Sequence, residues 1–146
     1  MKEACRRVSE RMAAFADGAL DPSLDLVLVD RGHVEQVMLN LVVNACDAIE
    51  AKGAGRGRIT LNYRQYQGQA EIRISDTGTG ILPQHQARVF DPFYTTKPPG
   101  KGTGQGLAIS HAIVTRQHGG SLTFETCPGL GTTFIVRLPL QSSRAR

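Results

Sequence analysis

Between His33 and Glu50 the apolar residues follow a helical period. At 100° per residue, Val34, Val37, Met38, Leu41, Val42, Ala45, Ala48 and Ile49 fall on one continuous arc. Asp30 precedes the run as an N-cap, and Lys52-Gly53 closes it, so the pattern predicts a helix to about Ala51. Two alternating stretches come next. In "RITLNYRQY" Ile59, Leu61 and Tyr63 share a face, and in "AEIRIS" Ala70, Ile72 and Ile74 do the same. Gln67-Gly68 between them reads as a hairpin turn. No period persists from Asp76 to Gly106, apart from a short helix around Gln84 to Val89. A helix from Gln105 to His118 is predicted to stop at Gly119-Gly120. The strands "SLTFET" and "TTFIVRLPL" then flank a turn at Cys127-Pro128-Gly129. Upstream, Lys2 to Ala16 reads as a helix ending at Asp17-Gly18, and "LDLVLVD", Leu24 to Asp30, as a short strand.

These elements predict an α+β fold, a two-layer sandwich. A mixed, mostly antiparallel sheet carries helices on one face. The irregular stretch of roughly thirty residues is too long for an ordinary connection and is expected to be a mobile lid. Residues 1–20 are expected to form an N-terminal helix, either a first helix of this domain or a remnant of a preceding one. Residues 21–140 form the main domain, and residues 141–146 a tail.

Composition changes this picture little. A chain of 146 residues, 40% hydrophobic and 21% charged, suits one globular domain. The net charge of +4 is partly terminal, in Lys2, Arg6, Arg7, Arg11, Arg144 and Arg146. No basic stripe is interleaved with aromatics, which argues against a nucleic-acid partner. Cys5, Cys46 and Cys127 show neither metal spacing nor a disulfide framework, as expected in a reducing cytosol. Apolar runs such as Leu26 to Val29 are too short to insert in a membrane, and no signal peptide is visible. A soluble module is expected, whether whole or part of a longer protein.

Four constellations carry candidate chemistry. Gln36, Asn40, Asn44 and Asp47 form a polar stripe beside the apolar arc. Asparagine is a poor helix-interior residue, and its amide oxygen is a neutral, hard ligand suited to Mg²⁺ beside polyphosphate. Ordinary helix-edge hydrogen bonds explain the stripe equally well on this helix alone. "DTGTG" places Asp76 at a strand end, where its carboxylate can accept from an exocyclic amine. Gly78 and Gly80 would let the backbone approach a flat ring. An Asp-Thr-Gly turn is the plainer account of that motif. Gly100, Gly102, Gly104 and Gly106 lead into a helix at Leu107, with Lys97 and Lys101 as nearby charges and Pro98-Pro99 as a stiff flank. Amides at such an entrance can meet anionic oxygens, although a flexible linker has the same composition. "GLGTTF" offers the Thr132 hydroxyl to a ring nitrogen, and by itself it is also a common β-turn.

Taken in order, the constellations resemble the ATP-binding catalytic domain of sensor histidine kinases, within the group that also holds DNA gyrase, Hsp90 and MutL. The resemblance spans roughly Asp30 to Leu140. "NLVVNACDA" is similar to the N box, "DTGTG" to the G1 box, "FDPF" to the F box, "GTGQGLAIS" to the G2 box and "GLGTTF" to the last glycine box. "FYTTK" before a short glycine-rich lid resembles the nitrogen-regulation type. The resemblance implies a Bergerat-type fold that binds ATP and Mg²⁺. It implies that Asn44 coordinates Mg²⁺ with help from Asn40, and that Asp47 lies beside them. Asp76 would bind the adenine amine, with Gly78, Gly80 and Thr132 around the ring. Phe90 and Phe93 would anchor the lid, and Lys97 would meet the γ-phosphate. Thr96, Lys101, Gly102, Thr103, Gly104, Gly106 and Leu107 would surround the phosphates. The catalytic set would be Asn40, Asn44 and Lys97.

The resemblance further implies phosphoryl transfer to a histidine on a separate dimerisation hairpin, and onward transfer to a response regulator receiver domain. The domain would be cytoplasmic, in a parent that could be membrane-anchored. His33, His85, His111 and His118 lack the acceptor context H-E-[LI]-x-x-P, so the acceptor is expected elsewhere. Hydrolytic relatives and anti-sigma serine kinases carry a glutamate base where this chain has Asn40. Glu35 points roughly opposite the stripe and cannot replace it. This favours a histidine acceptor, which already has a free lone pair, over water or serine. The rival readings are a serine kinase, an ATP hydrolase or a non-enzymatic nucleotide switch. Gln105, where leucine is usual, bears on lid packing.

Overall fold

The computed structural model describes residues 29–53, 55–97 and 104–140. Helix α1 (Arg31–Lys52) is followed by strands β1 (Ile59–Tyr66) and β2 (Gln69–Asp76) and the short helix α2 (Pro83–Gln86). Helix α3 (Gly106–Ala112) runs into a π-type segment (Ile113–Gln117), and β3 (Ser121–Cys127) and β4 (Gly131–Pro139) complete the fold. The predicted helix over residues 2–16, most of the strand over 24–30 and the tail lie outside the described residues. Val29 and Asp30, at the end of that predicted strand, are not in a strand.

Capping fixes α1 at both ends. The Asp30 carboxylate accepts from the His33 amide at 3.0 Å, and Gly53 closes the helix at φ 65°. Val37, Met38, Leu41, Val42, Ala45 and Ile49 are buried, as the apolar arc requires. The hairpin turns at Gln67 and Gly68, whose φ values of 51° and 74° match the primed turn that suits strand twist.

The sheet has order β1-β2-β4-β3 and is antiparallel throughout the described strands. Register stacks the inward positions in rows. Leu61, Ile74, Phe134 and Phe124 face one another across the four strands, as do Ile59, Asp76, Thr132 and Thr126. The first row joins the core with Val37, Met38 and Leu41 of α1 and with Ile113 and Val114. The second row ends the sheet with three polar groups.

The outward face is polar and centres on Glu71, which receives Arg64 at 2.7 Å, Arg73 at 2.8 Å and Arg137 at 2.9 Å. The arginines on three strands cover the carboxylate themselves, and their hydrogen bonds hold its pKa down at about 2.

The predicted helix from Gln105 to His118 is thus an α-helix that widens after Ala112. It ends at Gly119-Gly120 as predicted, with Gly119 at φ 64° and the Gly120 amide donating to the Val114 carbonyl at 2.9 Å. The His118 Nδ1–H donates to the Ile113 carbonyl at 2.9 Å, and its Nε2 accepts from the Asp30 amide at 3.0 Å. The predicted helix over 84–89 is four residues long, followed by turns to Phe90. Cys46 is disulfide-bonded, contrary to the expectation of free thiols, whereas Cys127 is free and exposed. Among the described residues no helix is long and apolar enough to cross a membrane.

Candidate functional site

Asp76 ends β2 with 7% of its surface exposed. Its Oδ1 accepts from the Gly78 amide at 2.8 Å. Burial pushes its pKa up, and the amides of Gly78 and Thr132 pull against that shift. Opposite it on β4, the Thr132 hydroxyl lies 2.9 Å from the hydroxyl of Thr126. Thr126 also accepts from the Ile81 amide at 2.9 Å, which ties the loop after β2 to the far strand. Sequence reasoning missed Thr126. The signal was its place opposite Thr132 across the turn at 127–131.

Gly78 and Gly80 serve close contact within the protein. A Cβ on Gly78 would lie 2.6 Å from the carbonyl carbon of Ala48, and one on Gly80 would lie 2.4 Å from the carbonyl oxygen of Cys127. The loop is therefore wedged between α1 and the β3–β4 turn. The Thr79 amide donates to Ala48 at 3.3 Å, and the Gly129 amide to Thr79 at 2.7 Å. Absent side chains serve contact within the protein.

On α1, Asn44 is half-buried and makes no side-chain hydrogen bond among the described residues. One turn earlier, the Asn40 amide nitrogen donates to the Gly106 carbonyl at 3.3 Å and to the Ser110 hydroxyl at 3.2 Å. Its nitrogen is committed to α3, leaving only the oxygen for a ligand. Asp47 meets the Lys97 ammonium at 2.5 Å. Lys97 therefore reaches from the stretch after Phe93 to the Asn44 helix. Thr96 beside it is exposed, and the Thr95 hydroxyl accepts the Lys97 amide at 3.0 Å.

The two phenylalanines part company. Phe90 packs on His111 at 4.8 Å and on Phe124 at 5.9 Å, so it joins the core. Phe93 is 71% exposed, and its contribution is backbone: at φ 65° it lies where a Cβ on Gly104 would come within 2.4 Å. The side chain of Phe93 anchors nothing among the described residues. Gly106 opens α3, and Leu107 packs against the core edge. Lys101, Gly102 and Thr103 lie outside the described residues.

Contacts thus link the described candidates in one region. Asn44 and Asp47 lead to Ala48, Ala48 to Gly78, Gly78 to Asp76 and Asp76 to Thr132. Asn40 brings in Gly106 at the start of α3, and Lys97 joins through Asp47. A small apolar cleft lined by Val34, Met38, Ile113, Val136 and Leu138 lies elsewhere, under α1, and belongs to the core.

A family model described as histidine kinase-, DNA gyrase B- and HSP90-like ATPase matches residues 29–142. The chain belongs to this family. Among sensor histidine kinases, it is 42% identical over 122 residues to the signal transduction histidine-protein kinase AtoS of Escherichia coli, covering 83% of this chain and 19% of AtoS. It is 46% identical over 119 residues to the two-component sensor PprA of Pseudomonas aeruginosa, covering 77% of this chain and 13% of PprA. The nucleotide-free catalytic domain of histidine kinase ThkA superposes with a TM-score of 0.66 at 32% identity, over 77% of this chain and 71% of that one. Full-length ShkA in complex with AMPPNP gives 0.71 at 28% identity, over 99% of this chain and 31% of that one. The chain is a histidine-kinase catalytic domain of the ATP-binding type, and it spans less than a fifth of AtoS and PprA.

Proposed function

We propose that this catalytic domain binds Mg·ATP between α1 and the polar end of the sheet, and transfers the γ-phosphoryl group to a histidine on a separate helical-hairpin domain. The observation that carries the reading is Asp76: a nearly buried carboxylate, braced by two amides, at the end of a strand facing Thr132. Such a group accepts from the adenine amine and leaves a guanine carbonyl unpaired. The Thr132 hydroxyl and the amides near Gly78 would border the same ring.

Asn44 fits a Mg²⁺ that takes most of its ligands from phosphate, because its amide oxygen is hard, neutral and without a hydrogen-bond partner among the described residues. When bound, the ion would neutralise charge on the phosphates. Lys97, held by Asp47 one turn from Asn44, supplies the cation for the terminal phosphate. Residues between Lys97 and Gly106, including Lys101, Gly102 and Thr103, would close as a lid over the nucleotide. Asn40 cannot take a proton from water, and its amide hydrogens are already donated, which favours an imidazole acceptor over hydrolysis. The reading extends to a cytoplasmic domain over residues 21–140, with residues 1–20 as a helix leading from the hairpin. A response regulator receiver domain would then accept the phosphoryl group from the histidine.

The test is to incubate the chain with Mg·ATP and a separately supplied acceptor hairpin. Acid-labile, alkali-stable phosphate on the hairpin is expected. Phosphate released without acceptor would point to a hydrolase, and acid-stable phosphate on a protein to a serine kinase. Binding with no transfer to any hairpin would leave a nucleotide switch. Each of these three outcomes overturns the proposed transfer.

A further inference from the structure

Ser110 is wholly buried, at 0% exposure, in a helix whose neighbours are mostly apolar. Burying a hydroxyl is costly unless it is paired. Its side-chain partner is the Asn40 amide, at 3.2 Å, and the same nitrogen donates to the Gly106 carbonyl at 3.3 Å. A side-chain amide has two hydrogens and here two acceptors, so the nitrogen is fully used. Chemistry fixes its orientation. A flipped amide would set its oxygen against the Gly106 carbonyl, acceptor to acceptor.

We propose that Asn40 and Ser110 form a strut that fixes α3 against α1, and that both are positioning residues for the nucleotide site. The inference rests on the function proposed above. Asn44 stands one turn beyond Asn40 on α1. Gly106 begins α3, and Gly104, two residues earlier, is in backbone contact with Phe93. The strut therefore holds together the Mg²⁺-facing amide and the start of α3, next to the Gly104–Phe93 contact. A slip of α3 along α1 would shift Gly104 and Gly106 relative to Asn44 and to the Asp47–Lys97 pair.

The strut also gives a reason for the residue at position 40. An ionised aspartate or glutamate there has no hydrogen to donate and would face the Gly106 carbonyl with like charge. The geometry needs a donor, and that need excludes a base. The loss of hydrolytic capacity and the gain of a rigid α1–α3 contact are one choice of side chain.

The test compares the whole chain with Ser110→Ala, Asn40→Asp and the double variant. Three readouts are needed: Mg·ATP affinity by calorimetry, transfer to the acceptor hairpin at saturating Mg·ATP, and melting without nucleotide. Losing one hydrogen bond of this kind should weaken Mg·ATP binding about fivefold in Ser110→Ala. The rate at saturation should fall much less, and the nucleotide-free melting temperature should drop by about 2–4 °C, because the bond is present without nucleotide. Asn40→Asp should weaken binding more. The double variant should be no weaker than Asn40→Asp alone, because both changes remove one contact. Additive losses would overturn the strut, as would Ser110→Ala binding like the parent, or a Ser110→Ala binding loss that its unfolded fraction at the assay temperature accounts for. A parent chain that takes up no Mg·ATP would instead sink the functional reading, and the strut's role with it.

Discussion

At the scale of single residues, Asp76 and Asn44 are proposed to divide the nucleotide between them. Asp76 would select the base. Asp76→Asn keeps the shape but presents an amide that can donate to a guanine carbonyl, so the preference for ATP over GTP should shrink about tenfold or more. Competition binding with the two nucleotides checks this, and an equally selective variant would remove Asp76 from base recognition. Burial raises the Asp76 pKa in the folded protein, so this carboxyl protonates at a higher pH than an ordinary aspartate. ATP affinity should accordingly fall on acidification as this carboxyl protonates, and Asp76→Asn should flatten that part of the profile. Asn44 is proposed to act at the other end. Asn44→Ala should abolish the Mg²⁺-dependent share of affinity and leave the share measured in chelator unchanged. Calorimetry with and without Mg²⁺ decides it, and a variant whose Mg²⁺ dependence matches the parent's would refute the assignment.

At the scale of elements, the periods of the sequence were dependable wherever burial was one-sided. The arc on α1, the two hairpin strands and the Gln67-Gly68 turn all lie where alternation and capping put them. Glycine roles were harder to read, because a missing side chain does not say which neighbour fills its place. Gly78 reads as an approach to a ring, and the structure also presses it on the Ala48 backbone. Gly78→Ala should therefore cost about 1–3 kcal/mol of stability through overpacking. Adding Ala48→Gly should relieve only the Cβ contact and leave the clash with the Ala48 carbonyl; full recovery of the melting temperature would show that the backbone contact is unimportant. The widening of the helix after Ala112 was equally hidden, as was the bond from the Asp30 amide to His118, which joins residues far apart along the chain. On the outer sheet face, Glu71 joins three strands through arginine. Its folded pKa of about 2 lies below the ordinary 4.5, so its contribution is present above pH 4.5 and lost as pH falls toward 2. Glu71→Gln should melt lower than the parent at neutral pH, with the gap closing over that acidic range. A gap independent of pH would mean that the three ion pairs do not stabilise the sheet.

For the whole molecule, the proposed site joins parts distant in sequence: α1, the ends of β2 and β4, and the start of α3. A ligand that touches all of them should stabilise them as one unit. Binding to the folded chain alone adds about 2.7 kcal/mol at a ligand concentration of roughly 100 times Kd. For a domain of this size that corresponds to a rise in Tm of about 5–10 °C. Mg·ATP should produce the full rise, ATP in chelator a smaller one, and Mg·GTP little, because each omission removes one end of the bridge. The ordering tests the assembly more directly than any single rate does. Asn44→Ala should bring the Mg·ATP shift down to the chelator value, and Asp76→Asn should bring the Mg·GTP shift up toward that of Mg·ATP. If all three conditions shift Tm equally, both nucleotides bind without help from Mg²⁺ or from base recognition, and the end of the sheet does not read the base.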